Sequence, residues 1–152
     1  MTPSITLIGL GPAGAQLLTR EAWDWLSQAE EVYLRTSLHP CAAELPETLA
    51  VHSFDALYEK HDVLADVLED IAQTVLTLGR REQGVSYAVP GSPWVAEESC
   101  ARVLELAKEA GLPTRVINGM SFLEPVCAAL GIDPSNQLAL IDALQLAEQN
   151  VP

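Results

Sequence analysis

Basic residues are scarce in this sequence. Eight lysines and arginines stand against 21 acids, a formal charge of −13 over 152 residues. Such a field repels phosphate backbones and anionic lipid, so neither nucleic acid nor a membrane surface is expected as a partner. Cysteine is scarce too. Cys41, Cys100 and Cys127 are odd in number and lack C-x-x-C spacing, which argues against a zinc site or disulfide framework and for three buried, reduced thiols. No apolar run approaches the roughly 18 residues of a membrane span. The chain does not open with a basic stretch, an apolar segment and a small-residue cleavage site, so no signal peptide is read and a cytoplasmic protein is expected. No Ser-His-Asp set, isolated carboxylate pair or ligand cluster stands out, and no metal is expected.

What is present is a hydrophobic content of 49%, enough for one ordinary domain with its own core. Ile5 to Leu10 is apolar throughout, as in a parallel strand covered on both faces. Leu18, Ala22, Trp25, Leu26 and Ala29 recur at helical spacing, with Thr19 as the N-cap. Val32 to Leu34 and Ala50 to Ser53 read as short strands. From Asp55 a single long amphipathic segment is expected, with Leu57, Leu64, Val67, Leu68, Ile71, Val75 and Leu78 on one face and Gly79 or Gly84 at its end.

Val85 to Val89 is the clearest strand, halted by Pro90-Gly91-Ser92-Pro93. Val95, Cys100, Val103, Leu104 and Ala107 predict a helix that stops at Gly111. Thr114 to Ile117 is a strand ended by Asn118-Gly119, and Phe122, Val126, Ala129 and Leu130 predict one more helix. Strands alternating with helices imply an α/β fold: a mostly parallel sheet of about five strands with helices on both faces. The α/β domain is expected over 1–133. From 134 to 152 a linker and the start of a second, cut-off domain are expected.

Gly9-Leu10-Gly11-Pro12-Ala13-Gly14 matches G-x-G-x-x-G, the fingerprint of a flavin or nicotinamide dinucleotide site. That site needs a helix starting at the second glycine. Here Pro12 removes one of the N–H donors, as a proline also does in many flavoproteins, so the weight falls on the helical period, which starts only around Leu18. The acid expected after the second strand is replaced by Arg35 and Thr36. The match is a decoy.

Three small-residue turns share the carboxyl edge of the predicted sheet: Gly11 to Gly14, Pro90 to Pro93 and Asn118 to Ser121. Any one of them is explained by the needs of a strand-to-helix turn. Three together, with Ser92 and Ser121 beside helix starts, point to a ligand site, and Ser92, Val95 and Ser121 are expected to line one cleft. His39, before Pro40, reads either as an exposed loop histidine or as a substrate-binding group. His52 and His61 read as surface residues. Trp23 and Trp25 cannot share one buried helix face. Trp94 either shields a ligand or covers the sheet edge.

The series ITLIGLGPAG, LLTREAWDWLSQAEEVYLRT, VSYAVPGSPWVAEES and NGMSFLEPVCAALGI resembles the N-terminal domain of the tetrapyrrole (corrin/porphyrin) methylases. With RTSLHP and SFDALYEKHD it is similar to the YabN-like methylase domain fused to MazG nucleotide pyrophosphohydrolases. The resemblance runs from Ile5 to Leu144. It implies S-adenosylmethionine bound between two α/β domains, usually in a homodimer, with an unknown small-molecule methyl acceptor. By position it implies cofactor contacts from Gly11 and Pro12, from Gly91, Ser92 and Val95, and from Ser121 and Phe122. Ser92 departs from the family's G-D-P turn, where an aspartate stands, and a hydroxyl makes weaker hydrogen bonds than a carboxylate. Two functions follow: a methyltransferase-like domain, or a non-catalytic binding or regulatory module attached to a pyrophosphohydrolase. A flavin or nicotinamide enzyme is a distant third.

Overall fold

In the computed structural model, residues 2–135 and 138–148 are described. Five strands, β1 (Ile5–Gly9), β2 (Glu31–Leu34), β3 (Ala50–Ser53), β4 (Val85–Val89) and β5 (Thr114–Ile117), form one sheet in the order β3-β2-β4-β1-β5. Every pairing is parallel. β1 has neighbours on both sides and all five of its residues are buried, which is why it reads as an unbroken apolar run.

Alternation along the strands divides the core into two layers. Ile5 and Leu7 of β1 with Val85, Tyr87 and Val89 of β4 face α3 (Leu64–Gly79) and α4 (Glu98–Glu109), meeting Ile71, Val75, Val103 and Ala107. Ile8, Val32, Leu34, Ala88 and Ile117 face the other way, against Ala22 and Leu26 of α1 (Arg20–Leu26) and Cys41, Leu45 and Leu49. Cys41, Cys100 and Cys127 are free and buried. Burial pushes the Cys41 thiol up to about 11 and raises Cys100 as well, so both stay protonated and inert.

Two expectations about helices need correction. The long segment from Asp55 is two helices, α2 (Asp55–Lys60) and α3, because His61 and Val63 are extended. Asp70 holds the break by accepting from Lys60 Nζ at 2.9 Å and contacting His61 Nε2 at 2.7 Å. Leu57 and Leu64 are seven apart, so the apolar spacing runs across the break without showing it. The helix expected from Val95 starts at Glu98, and Val95 lies in the preceding turn.

The chain divides into two compact units, residues 1–122 and 123–152. The second holds α5 (Leu123–Leu130) and α6 (Ala143–Glu148). Within it, Leu138, Leu140 and Ile141 are exposed. Of the stretch expected to be a linker and second-domain start, Asn136, Gln137 and residues 149–152 lie outside the described residues.

Candidate functional site at the carboxyl edge of the sheet

The connection leaving β1 crosses one face through α1 to reach β2. The connection leaving β4 crosses the opposite face through α4, past β1, to reach β5. The carboxyl ends of β1 and β4 are therefore a topological switch point, where open α/β sheets place their ligands.

At that point the three turns are joined through backbone. The N–H of Gly11 donates to Gly91 O at 3.1 Å and the N–H of Gly91 donates to Gly11 O at 2.7 Å. Gly9 and Gly119 pack on each other so closely that a Cβ on Gly9 would lie 2.5 Å from Gly119 N and 2.6 Å from Gly91 O. Glycine at 9 and 119 thus serves contact between loops. Gly91 differs: its φ is 68°, and an added Cβ would meet only Met120 O at 4.0 Å, so the space beside it is open.

Gly11 is buried and Pro12 half-buried beside the bridge. Ser92 is buried, and its Oγ accepts from the Trp94 N–H at 3.3 Å. Val95 is half-buried and its N–H donates to Ser92 O at 3.2 Å. Ser121 is buried, while Phe122 is 41% exposed and precedes α5. Trp94 is 62% exposed, its Nε1–H donating to Asn118 Oδ1 at 2.9 Å. The turns after β4 and β5 are thus tied by side chains as well as by glycine packing.

The helix after β1 starts where the dinucleotide reading fails. A 3-10 turn spans Ala15–Leu17, and α1 begins at Arg20, with Thr19 Oγ1 accepting from Ala22 N at 3.2 Å. The same hydroxyl donates to Asn118 O at 3.1 Å. Gly11 is separated from the first helical turn of α1 by this loop, so no free helical N–H groups follow the second glycine.

Sequence reasoning missed a polar cluster beside these turns. Arg35, just beyond β2, donates through an Nη to Glu97 Oε2 at 2.7 Å, although Glu97 is buried. The other Glu97 oxygen accepts from Ser99 Oγ at 2.6 Å, and Ser99 meets the buried Tyr87 hydroxyl at 2.7 Å. Burial pulls the Arg35 guanidinium down, but Glu97 and the nearby tyrosines outweigh it and leave it above its ordinary value. Ala96, directly before Glu97, has a φ of 53°, a left-handed backbone that costs roughly 1–2 kcal/mol outside glycine.

Two donors of this cluster, Arg35 Nε and Tyr58 Oη, have no hydrogen-bond partner among the described residues. A buried donor left unpaired costs roughly 1–3 kcal/mol, so both require explanation. His39 is half-buried; its Nδ1 accepts from Cys41 N at 3.3 Å, and burial pulls the imidazole below its ordinary value while a hydrogen bond to the Gly11 backbone works the other way. Asp55, first in α2, fixes the same loop by accepting from the Ser37 N–H at 3.0 Å and from the Ser37 hydroxyl. Burial raises the Asp55 carboxyl, but hydrogen bonds from Ser37, Thr36 and Ser53 outweigh it and hold the group well below the usual carboxylate range. No periodicity marks these residues, because the Arg35–Glu97 pair spans 62 positions.

A cavity of about 860 Å³ lies at the opposite end of the sheet, by Asp24, Trp25, Glu31, Gln83, Ser86 and Arg115. Its lining residues contact one another: Arg115 lies over the Trp25 ring at 4.8 Å, and Trp25 Nε1–H donates to Ser86 Oγ at 3.0 Å. Among the described residues no group of His, Cys, Asp and Glu is arranged to hold a metal ion, and no helix is long and apolar enough to cross a membrane.

The profile of the family described as Tetrapyrrole (Corrin/Porphyrin) Methylases matches residues 4–150. The chain belongs to the tetrapyrrole methylases. It is 38% identical over 144 residues to the uncharacterized protein YabN of Bacillus subtilis, an alignment covering 94% of this chain and 29% of YabN. It therefore spans less than a third of that relative's length. The methyltransferase CobJ shares 25% identity at a TM-score of 0.59, with 97% of this chain and 62% of that one covered. Uroporphyrin-III C-methyltransferase from Thermus thermophilus shares the fold, with a TM-score of 0.63 at 24% identity over 88% of this chain and 55% of that one. A structure of that activity from the same organism is complexed with S-adenosyl homocysteine; its TM-score is 0.55 at 24% identity over 79% of this chain and 46% of that one. Tetrapyrrole methylases thus supply both the sequence family and the structural neighbours of the parallel sheet described above.

Proposed function

We propose that this chain is the S-adenosylmethionine-binding domain of a methyltransferase, and that in a longer protein it is joined to a MazG-type nucleotide pyrophosphohydrolase. The observation that carries the reading is the joining of three turns at the β1/β4 switch point, with open space beside Gly91. Family membership and the S-adenosyl homocysteine complex of a structural neighbour support it. Gly11, Pro12, Gly91, Ser92, Val95, Ser121 and Phe122 are the residues proposed to hold the cofactor. The bound cofactor supplies an activated methyl group. The chain's own task is to bind it, orient it and hold an acceptor in line, which needs no acid-base pair or metal. On this reading the protein is a cytoplasmic homodimer, and a span of 29% of YabN leaves length for further domains.

A second reading, a non-catalytic regulatory module, is favoured by one observation. Ser92 stands where the family turn has aspartate, and its hydroxyl already accepts from the Trp94 N–H.

Hydrogen exchange with and without saturating S-adenosylhomocysteine tests the proposal. Slowed exchange at residues 9–14, 90–97 and 118–122 together is the expected result. Unchanged exchange at all three turns in a folded protein contradicts the cofactor site and leaves the module reading.

A further inference from the structure

Glu97 stands at the N-cap of α4, yet its carboxylate makes no capping hydrogen bond to that helix. An acid at that place ordinarily accepts from the first-turn N–H groups and complements the helix dipole. Here it turns inward instead. Its side chain is 2% exposed, with one oxygen on Arg35 at 2.7 Å and the other on Ser99 Oγ at 2.6 Å. Both partners are themselves fixed to the sheet. The Arg35 N–H donates to Ala88 O at 2.9 Å, continuing the ladder between β2 and β4. Ser99 Oγ meets the hydroxyl of Tyr87, a fully buried residue of β4, at 2.7 Å.

A buried charge pair is weak evidence for stability, because apolar side chains of similar volume often serve as well. Ala96 adds strain beside it, as the one residue other than glycine with a positive φ among the described residues. Strained backbone persists where surrounding contacts over-determine it, and it gathers at ligand sites. The contacts here bracket the turn after β4. Gly91 is bridged to Gly11, Trp94 is tied to Asn118, and Glu97 closes the far end.

We propose that Glu97, held by Arg35 and Ser99, is a positioning residue: it keeps Ala96 left-handed and so sets the backbone of Ser92 and Val95 in the form that receives the cofactor. The inference rests on the proposed function for what the turn binds, and on the hydrogen bonds above for how the turn is held. Without the anchor, Ala96 relaxes out of the left-handed region. The strain released there, worth about five- to thirtyfold in an equilibrium, then opposes the competent turn, and apparent affinity falls by the same factor.

The test uses the double variant Arg35→Met, Glu97→Leu, which removes the anchor and both charges together and should melt close to the parent. Native-state hydrogen exchange of the 152-residue protein is followed without ligand. The Val95 amide, bonded to Ser92 O, should exchange about fivefold faster or more, while the amides of β1 keep the parent's rates. S-Adenosylhomocysteine should bind the double variant about five- to thirtyfold more weakly than the parent. Glu97→Gln, whose amide still accepts from Arg35 and donates to Ser99, should stay within about threefold of the parent in both measurements. Parent-like exchange and affinity in a stable double variant would mean a merely structural ion pair, and overturn the proposal. So would a Glu97→Gln protein as impaired as the double variant. Should the double variant melt far below the parent, Ser99→Ala, which frees one Glu97 oxygen, takes its place, and unchanged Val95 exchange then overturns the anchor. A parent that binds no S-adenosylhomocysteine counts against the proposed function, while Val95 exchange still judges the anchor.

Discussion

A methyl group at Gly119 probes how the three turns are joined. In Gly119→Ala the new Cβ runs into the Gly91 carbonyl oxygen and lies 2.7 Å from the Gly9 carbonyl carbon. Both obstacles are backbone, so no side chain can rotate away. Overpacking typically costs about 1–3 kcal/mol, and here the upper end applies. Gly91→Ala is the internal control. Its nearest obstacle is Met120 O at 4.0 Å, so only the strain of a φ of 68° remains, about 1 kcal/mol. At roughly 2–4 °C per kcal/mol for a chain of this size, Gly119→Ala lowers Tm by about 6–12 °C and Gly91→Ala by about 2–4 °C. Scanning calorimetry, with urea midpoints compared at constant m, measures both. Equal melting temperatures for the two variants would refute the packing argument. So would a Gly119→Ala protein as stable as the parent.

Thr19→Ala removes both the cap of α1 and the tie to Asn118. It should cost about 1 kcal/mol in urea unfolding; no change means the cap is dispensable. Glu97→Ala leaves the Arg35 guanidinium without its partner and should cost about 3 kcal/mol. The double variant Arg35→Met, Glu97→Leu should recover most of that stability, and a further loss instead would show that packing outweighs charge there. Asp55 has a folded pKa below its unfolded value, so its stabilisation is complete above about pH 4 and is lost as the pH falls further. Asp55→Asn should therefore melt below the parent at pH 7, with the gap closing in acid. A gap constant from pH 7 to about pH 2 contradicts that linkage.

The sheet was legible because its signals are local. Ile5 to Gly9 is apolar on both faces, β4 is β-branched and aromatic, and Gly111 (φ 64°) ends α4 as its position suggested. Thr19 was legible as an N-cap because a hydroxyl before an apolar period has one obvious use. The break at residues 61–63 was hidden by leucines spaced seven apart, and its cause, Asp70 holding Lys60 and His61, is a tertiary contact. Composition gave each glycine turn a local reason. That Gly9 and Gly119 touch became visible only when β1 and β5 were paired. Arg35, Tyr58 and Glu97 carry no spacing signal at all, since a buried ion pair joins residues that only the strand order brings together.

Calorimetric titration of S-adenosylhomocysteine and of FAD into the longer protein that this chain is proposed to begin tests the central claim most directly. The account predicts a saturable S-adenosylhomocysteine isotherm in the micromolar range, about −8 kcal/mol, and no FAD binding, because the loop after Gly11 presents no helix N-terminus to a pyrophosphate. FAD binding without S-adenosylhomocysteine binding would contradict it.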